Sequence, residues 1–192
     1  MCSNIAGIDE VGRGSLFGPV FAASVILSKQ AESQLIKAGL KDSKKLSPNK
    51  RDLLVPMIKS LANSCGLGQA SAREIDLYGI RRATEKAMIR AVDKLQTKPD
   101  LLLVDGNLSL RLWDGDQENI IKGEDKFASI AAASVLAKVS RDLLIRRLAI
   151  KYPFYGLEKN VGYGTSFHRN QIIEIGDSPL HRQSFLSKIN PK

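Results

Sequence analysis

Ile5-Ala6-Gly7-Ile8-Asp9-Glu10-Val11-Gly12-Arg13-Gly14-Ser15-Leu16-Phe17-Gly18-Pro19 is the stretch whose reading decides the fold. An apolar, β-compatible run leads into two adjacent carboxylates and then into a glycine-rich turn carrying one arginine, the pattern of a buried strand and its exit loop. Successive strand residues point to opposite faces, so Asp9 and Glu10 cannot both join the core. At least one of them looks to a cation, a donor or water. Gly12, Gly14 and Gly18 let the backbone turn sharply or approach a ligand closely. Exposed backbone N–H groups beside a guanidinium are complementary to a phosphate oxygen. A strand followed by two solvated acids and an ordinary turn fits the same letters, and the rest of the chain has to choose.

Val20-Phe21-Ala22-Ala23-Ser24-Val25-Ile26-Leu27 reads as a second buried strand, and the tight turn before it predicts an antiparallel hairpin. Ser64-Cys65-Gly66-Leu67-Gly68-Gln69-Ala70-Ser71 is a third strand despite its glycines. Ile80, Ala83, Ala87, Met88, Ala91 and Leu95 recur at helical spacing and read as core packing. Leu101-Leu102-Leu103-Val104 then runs into Asp105-Gly106-Asn107, repeating the opening theme of apolar strand, carboxylate and glycine. A helix before that strand implies a crossover, hence a parallel strand. Ligands of open sheets gather outside the carboxyl ends of strands, so Asp9 and Asp105 stand together if their strands are neighbours. Asn119-Ile120-Ile121 is a further short strand.

Phe127 to Ile150 is expected to be a long helix, with Glu124 and Asp125 suiting the dipole at its start and an alanine-rich first half fit for close packing on the sheet. Lys138, Arg141, Arg146 and Arg147 in its second half read as a basic surface. Ser47 with Pro48 marks another helix start. The cluster Lys41-Asp42-Ser43-Lys44-Lys45 ahead of it suits phosphates or a solvated linker equally. Gly162-Tyr163-Gly164-Thr165 reads as an exposed loop, its tyrosine open to a sugar or base. Ser178 to Arg182 forms a turn before a short terminal helix.

Lys and Arg number 29 against 20 Asp and Glu, a net charge of +9 that favours a polyanionic partner. Cys2 and Cys65 match no metal or redox spacing and read as free thiols in a reducing compartment. The first residues lack the pattern of a secretory leader, and no run is long enough to span a membrane, so a cytoplasmic location is expected. His168 and His181 show no metal-ligand spacing and read as structural or as nucleic-acid contacts. Carboxylates with so few histidines suit a hard cation, Mg²⁺ or Mn²⁺, over zinc. Acids on strand ends beside a basic surface fit two-metal phosphodiester hydrolysis. The glycine loop lacks the ending of a P-loop, Leu110 stands where a calcium loop needs glycine, and no nucleophile elbow occurs.

Several segments together resemble the prokaryotic ribonuclease HII family of the ribonuclease H-like superfamily. They are Gly7 to Gly14 with Gly18-Pro19, Asp42-Ser43-Lys44-Lys45-Leu46, Val104-Asp105-Gly106-Asn107, Lys122-Gly123, Ala131 to Lys138, Arg141-Asp142, Gly162-Tyr163-Gly164-Thr165 and His181-Arg182. The resemblance implies an α/β fold with a mixed five-stranded sheet, its first three strands antiparallel and the next parallel, flanked by helices. Residues 1–152 would form the catalytic domain and 153–192 a small helical extension completing the cleft in one compact unit. It implies an endonuclease that hydrolyses the RNA strand of RNA–DNA hybrids and incises 5′ to ribonucleotides embedded in duplex DNA, leaving 3′-hydroxyl and 5′-phosphate ends, with roles in removing ribonucleotides and RNA primers. Asp9, Glu10, Asp105 and Glu124 would be catalytic and hold divalent metal, two ions during catalysis. Gly12, Arg13 and Gly14 would read the 2′-hydroxyl, Tyr163 would stack on the adjoining sugar, and Ser43, Lys44 and Lys45 would hold phosphates. The family places aspartate at the fourth carboxylate; here Glu124 fills that slot, with Asp125 the other candidate. A monomer without an obligatory protein partner is expected. A catalytically silent hybrid-binding module on the same fold, or another nuclease of the superfamily, are the competing readings. Clustered acids, which repel phosphate, argue against the first; the Gly12-Arg13-Gly14 loop with Tyr163 argues against the second.

Overall fold

The structure is a computed structural model and describes residues 4–187 and 189, so Cys2 lies outside the described residues. The strands are β1 (Ile5–Val11), β2 (Val20–Ile26), β3 (Ser64–Ala70), β4 (Leu101–Asp105) and β5 (Asp116–Ile120), and the helices α1 (Lys29–Lys37), α2 (Pro48–Leu61), α3 (Ala72–Val92), α4 (Ala128–Lys151), α5 (Leu157–Asn160), α6 (Ser166–Ile175) and α7 (Gln183–Leu186). The strands form one sheet in the order β3-β2-β1-β4-β5. β1, β2 and β3 pair antiparallel, whereas β4 joins β1, and β5 joins β4, in parallel. The hairpin and the crossover strand are where the apolar runs put them.

Strand alternation builds two cores. Ala6 and Ile8 of β1, Val20 and Ala22 of β2 and Leu102 and Val104 of β4 pack with Ala83, Ala87, Met88 and Ala91 of α3 on one face. Ala23 and Val25 of β2 pack with the alanine-rich half of α4 and with α1 and α2 on the other. Gly7 faces α4 at the closest approach: a Cβ there would lie 2.3 Å from the Ile130 backbone nitrogen. This contact seats the start of α4 against the strand that carries Asp9 and Glu10.

Caps explain the helix starts. The hydroxyls of Ser28, Ser47 and Thr165 accept the third backbone N–H of α1, α2 and α6. Ser71 and Glu74 form a reciprocal capping box on α3. Helix α3 begins earlier than the spacing predicts and is interrupted at Gly79, whose φ is 75°. β5 lies earlier than expected, over the polar residues Asp116–Ile120, because an edge strand pairs through its backbone and needs little apolar surface. Glu124 and Asp125 are not in the first turn of α4. They occupy a separate 3-10 turn, Gly123–Asp125, set off by Lys122 at φ 54°. Cys65 is a free, half-buried thiol. Among the described residues no helix is long and apolar enough to cross a membrane.

Candidate active site

The strands carrying the acids are neighbours. The last register pair of β1 and β4 is Ile8 with Val104, so Asp9 and Asp105 emerge side by side one residue later, on the face toward α4. Asp9 is buried, and its Oδ1 accepts the Glu10 backbone N–H at 2.7 Å. Asp105 Oδ1 accepts the Gly123 N–H at 2.7 Å, which draws the 3-10 turn over the strand end and brings Glu124 to the cluster. Glu10 has the opposite parity, and its Oε1 stands 3.3 Å from Arg13 Nη1.

Glu124 and Asp125 have different surroundings. Glu124 Oε1 lies 3.4 Å from Lys44 Nζ, whereas its Oε2 is buried with no hydrogen-bond partner. Asp125 is exposed and paired with Lys45. The lysines are held by a small turn: Asp42 caps the 3-10 helix Ser43–Lys45, and Arg51 donates to the carbonyls of Ser43 and Leu46 at 2.8 Å each. Ser43 differs from the expectation of a phosphate contact. Its side chain is buried, with Oγ 2.8 Å from the Ser134 hydroxyl of α4.

Burial pushes the Asp9 carboxyl up to about 8, with the charges of Glu10 and Asp105 adding to it against the hydroxyl of Ser134. Burial raises Asp105 to about 6, opposed by the Gly123 N–H and reinforced by Glu124. Burial raises Glu10 as well, against the pull of Arg13. Glu124 is lowered: its own backbone N–H, Asp105 and Lys44 outweigh its burial. Four oxygen-bearing acids, two of them raised chiefly by burial and one with an orphaned buried oxygen, form a donor set that fits a hard divalent cation. As the side chains lie, no three of the described His, Cys, Asp or Glu residues converge tightly enough to grip one ion.

The loop after β1 is built jointly with the C-terminal segment. Leu16 and Phe17 N–H groups reach the Gly162 carbonyl, and Gly18 N–H reaches that of Leu180. Arg141 is no part of a basic surface: it is fully buried. Its Nε donates to the Pro19 carbonyl at 2.9 Å, Nη1 to that of Val161 at 2.9 Å, and Nη2 to Ser15 Oγ at 2.7 Å and the Phe17 carbonyl at 3.0 Å. The guanidinium also lies 5.6 Å from the centre of the half-buried Tyr163 ring. Arg182, equally buried, donates to the carbonyls of Gly18 and Arg13. Arg13 and Gly14 themselves remain exposed.

His168 and His181 are buried and so are structural, not surface contacts. The Ser178 N–H donates to His181 Nδ1, which fixes its proton on Nε2. That proton goes to His168 Nε2 at 3.0 Å, and His168 Nδ1 donates to the Tyr163 carbonyl at 2.9 Å. The sequence pattern gave no role to Ser134 or Arg182 by themselves and read Arg141 as part of a basic surface; nothing adjoining either arginine in the chain marks it as a buried latch.

A mixed sheet with carboxylates side by side at the ends of adjacent parallel strands, a third acid folded over them and cations alongside defines a ribonuclease H-like nuclease. The ribonuclease HII family model matches residues 6–188. Ribonuclease HII of Prochlorococcus marinus is 67% identical over 184 residues, covering 96% of each chain. Among solved structures, ribonuclease H2 of Pyrococcus horikoshii superposes with a TM-score of 0.81 at 25% identity, covering 97% of this chain and 96% of that one. The ribonuclease HII solved in complex with PCNA from Archaeoglobus fulgidus gives 0.79 at 28% identity, with 94% of each chain covered. The chain belongs to the ribonuclease HII family, whose members are hydrolytic endonucleases.

Proposed function

We propose that this protein hydrolyses the RNA strand of RNA–DNA hybrids and incises duplex DNA 5′ to an embedded ribonucleotide. The observation that carries this reading is the emergence of Asp9 and Asp105 together at the strand ends, with Glu124 interacting with Asp105 and its Oε2 buried without a hydrogen-bond partner. In the proposed reaction a water oxygen bonds to phosphorus as the bond to the 3′-oxygen breaks. The departing oxygen takes up a proton, leaving a 3′-hydroxyl and a 5′-phosphate.

Asp9, Glu10, Asp105 and Glu124 would hold the divalent ions, Mg²⁺ or Mn²⁺, which when bound supply an acidified water and offset the charge developing on the phosphate. Asp125, exposed and paired with Lys45, is the weaker candidate for the fourth position. Gly12, Arg13 and Gly14 would present backbone and guanidinium donors to the 2′-hydroxyl and its phosphate, the hydroxyl being what separates RNA from DNA. Tyr163, backed by Arg141, would stack on the neighbouring sugar. Lys44 and Lys45 would neutralise backbone phosphates, and buried Ser43 would fix their turn against Ser134.

Cleavage of a DNA duplex containing one ribonucleotide, in Mg²⁺, in Mn²⁺ and in chelator, tests the reading. Metal-dependent nicking 5′ to the ribonucleotide is expected, lost in Glu124→Ala and retained in Asp125→Ala. No nicking in either metal would refute it.

A further inference from the structure

His168 and His181 are the two histidines of the chain, and the proposed chemistry uses neither. Both are buried, at 0% and 1% exposure. The His181 ring centre lies 5.1 Å from that of Phe17 and 4.7 Å from that of Tyr155, and the His168 ring also packs on Tyr155. Apolar side chains of similar size would fill this space without the cost of burying polar atoms. What the imidazoles add is a directed chain of hydrogen bonds. Burial lowers the pKa of both, so each ring is neutral and has one donor and one acceptor nitrogen. The Ser178 N–H donates to His181 Nδ1, which sets the direction of the chain: His181 Nε2 to His168 Nε2 at 3.0 Å, then His168 Nδ1 to the Tyr163 carbonyl at 2.9 Å. Among the described residues no carboxylate bonds to either ring, so the chain delivers geometry to Tyr163 and has no acid to exchange a proton with.

Tyr163 needs such a hold. It stands between Gly162 and Gly164, and Gly162 has φ 87°, so its neighbours' side chains do nothing to fix its peptide planes. Its N–H donates to the Asn160 carbonyl and its carbonyl accepts the Thr165 N–H, each at 2.9 Å. Those two bonds are local to the loop. The bond from His168 reaches beyond it, to α6 and through His181 to the turn at Ser178. Isolated bridges pair Ser15 with Tyr163 and Phe17 with His181, so both ends of the chain abut the glycine loop.

We propose that His168 and His181 are positioning residues for Tyr163: their hydrogen-bond chain sets where the tyrosine ring points, and through it how firmly the substrate is held. The consequence for substrate rests on the reading of Tyr163 as the ring that stacks on a sugar. Both histidines lie beneath the surface and act through the Tyr163 backbone, not by touching the nucleic acid. Losing one neutral hydrogen bond from such a chain corresponds to a change on the order of fivefold.

The test incorporates ring-fluorinated tyrosine and follows the Tyr163 fluorine resonance, identified by its loss in Tyr163→Phe, beside kcat/KM on a duplex with one ribonucleotide. His168→Leu removes both ring nitrogens. His168→Asn places an amide nitrogen roughly where Nδ1 stands and can keep the bond to the Tyr163 carbonyl. Ile172→Ala weakens the same buried core without touching the chain and controls for lost stability. His168→Leu is expected to shift or broaden the resonance and to lower kcat/KM about fivefold, chiefly through KM. His168→Asn should recover most of both, and Ile172→Ala should change neither. In a Tyr163→Ala background, His168→Leu should lower kcat/KM no further. His181→Leu breaks the chain one link away and should act in the same direction, so the test holds if His168→Leu does not fold. An unmoved resonance, losses matched by Ile172→Ala, or additive losses with Tyr163→Ala would overturn the proposal. If Tyr163→Ala cleaves as the native chain does while His168→Leu still moves the resonance, the stacking reading falls and the positioning chain stands.

Discussion

Replacing Arg141 by methionine is expected to unlatch the two loops that form one wall of the candidate site. The native guanidinium is fully buried and makes four hydrogen bonds, to the carbonyls of Pro19, Val161 and Phe17 and to Ser15 Oγ. Methionine fills much of the volume and removes the cost of burying a cation, a cost evident in the lowering of the Arg141 pKa by burial. It also leaves acceptors behind. The Phe17 carbonyl keeps the Ser15 hydroxyl as a donor, whereas those of Pro19 and Val161 lose their guanidinium donor. Each buried acceptor left unsatisfied costs about 1–3 kcal/mol. Two of them give about 3 kcal/mol after partial relaxation, within reach of the cost of breaking a buried charged network. For a domain of this size that is a fall in Tm of roughly 6–12 °C. Arg141→Lys keeps the charge but not the planar fork, and should fall between. Thermal and urea unfolding measure the loss, and cleavage of a single-ribonucleotide duplex well below the transition measures the function. KM should rise more than kcat falls, since the guanidinium holds the loops and lies away from the carboxylates. If Arg141→Met unfolds within about 1 kcal/mol of the native chain, the loops hold themselves together and the latch does not exist.

Asp9→Asn should abolish nicking in Mg²⁺ while hybrid binding in chelator is kept, because the amide matches in size and charge the carboxyl that burial holds up at about 8; loss of binding would make Asp9 a structural residue. Gly7→Ala, whose Cβ meets the backbone of Ser129 and Ile130 at 2.4 Å and 2.3 Å, should destabilise by about 3 kcal/mol or more, an overpacking against main chain that cannot rotate away. Gly14→Ala, with nothing within 4 Å of the added methyl, should unfold within about 0.5 kcal/mol of native, and the contrast is read from urea midpoints. Burial, together with its neighbour His168, holds His181 down at about 4, and burial lowers His168 too. The unfolded chain therefore takes up protons between about pH 6.5 and 4 that the folded chain refuses. Stability present above pH 6.5 should decline on acidification by up to about 1.4 kcal/mol per pH unit for each histidine, a limb that flattens when both are replaced by phenylalanine.

What the sequence made legible was whatever depends on local pattern. Apolar runs ending in Asp9 and Asp105 put each acid at a strand end and a helical crossover made the second strand parallel, whereas the pairing of β1 with β4 that sets them side by side came from the structure. β5 was less visible, since Asp116–Ile120 pairs at an edge through its backbone and carries almost no apolar signal. The glycines of β3 weakened a strand that they in fact permit: at Gly68 a Cβ would lie 2.0 Å from the Ala87 carbonyl of α3. Glu124 and Asp125 fell outside the helix because Lys122, a non-glycine residue, adopts a left-handed conformation that sequence pattern does not announce.

Arg141 exposes the deeper limit. A basic residue among Lys138, Arg146 and Arg147 on a helix reads as solvated, since arginine is almost never fully buried without partners. Its partners here are main-chain carbonyls of loops more than a hundred residues upstream and twenty downstream. Carbonyls are present at every residue, so no side-chain pattern marks them as acceptors; only the three-dimensional approach of the loops does. The Arg182 guanidinium grips the same loop through Gly18 and Arg13 in the same way. The acids at the centre of this site were therefore readable from their own neighbours, whereas the arginines that shape the loop beside them became readable only through backbone they do not adjoin. A scan of buried arginines that bond to main chain, followed by substitution with methionine and lysine, separates these two kinds of residue by experiment: the first change chemistry with little change in stability, and the second change stability and KM together.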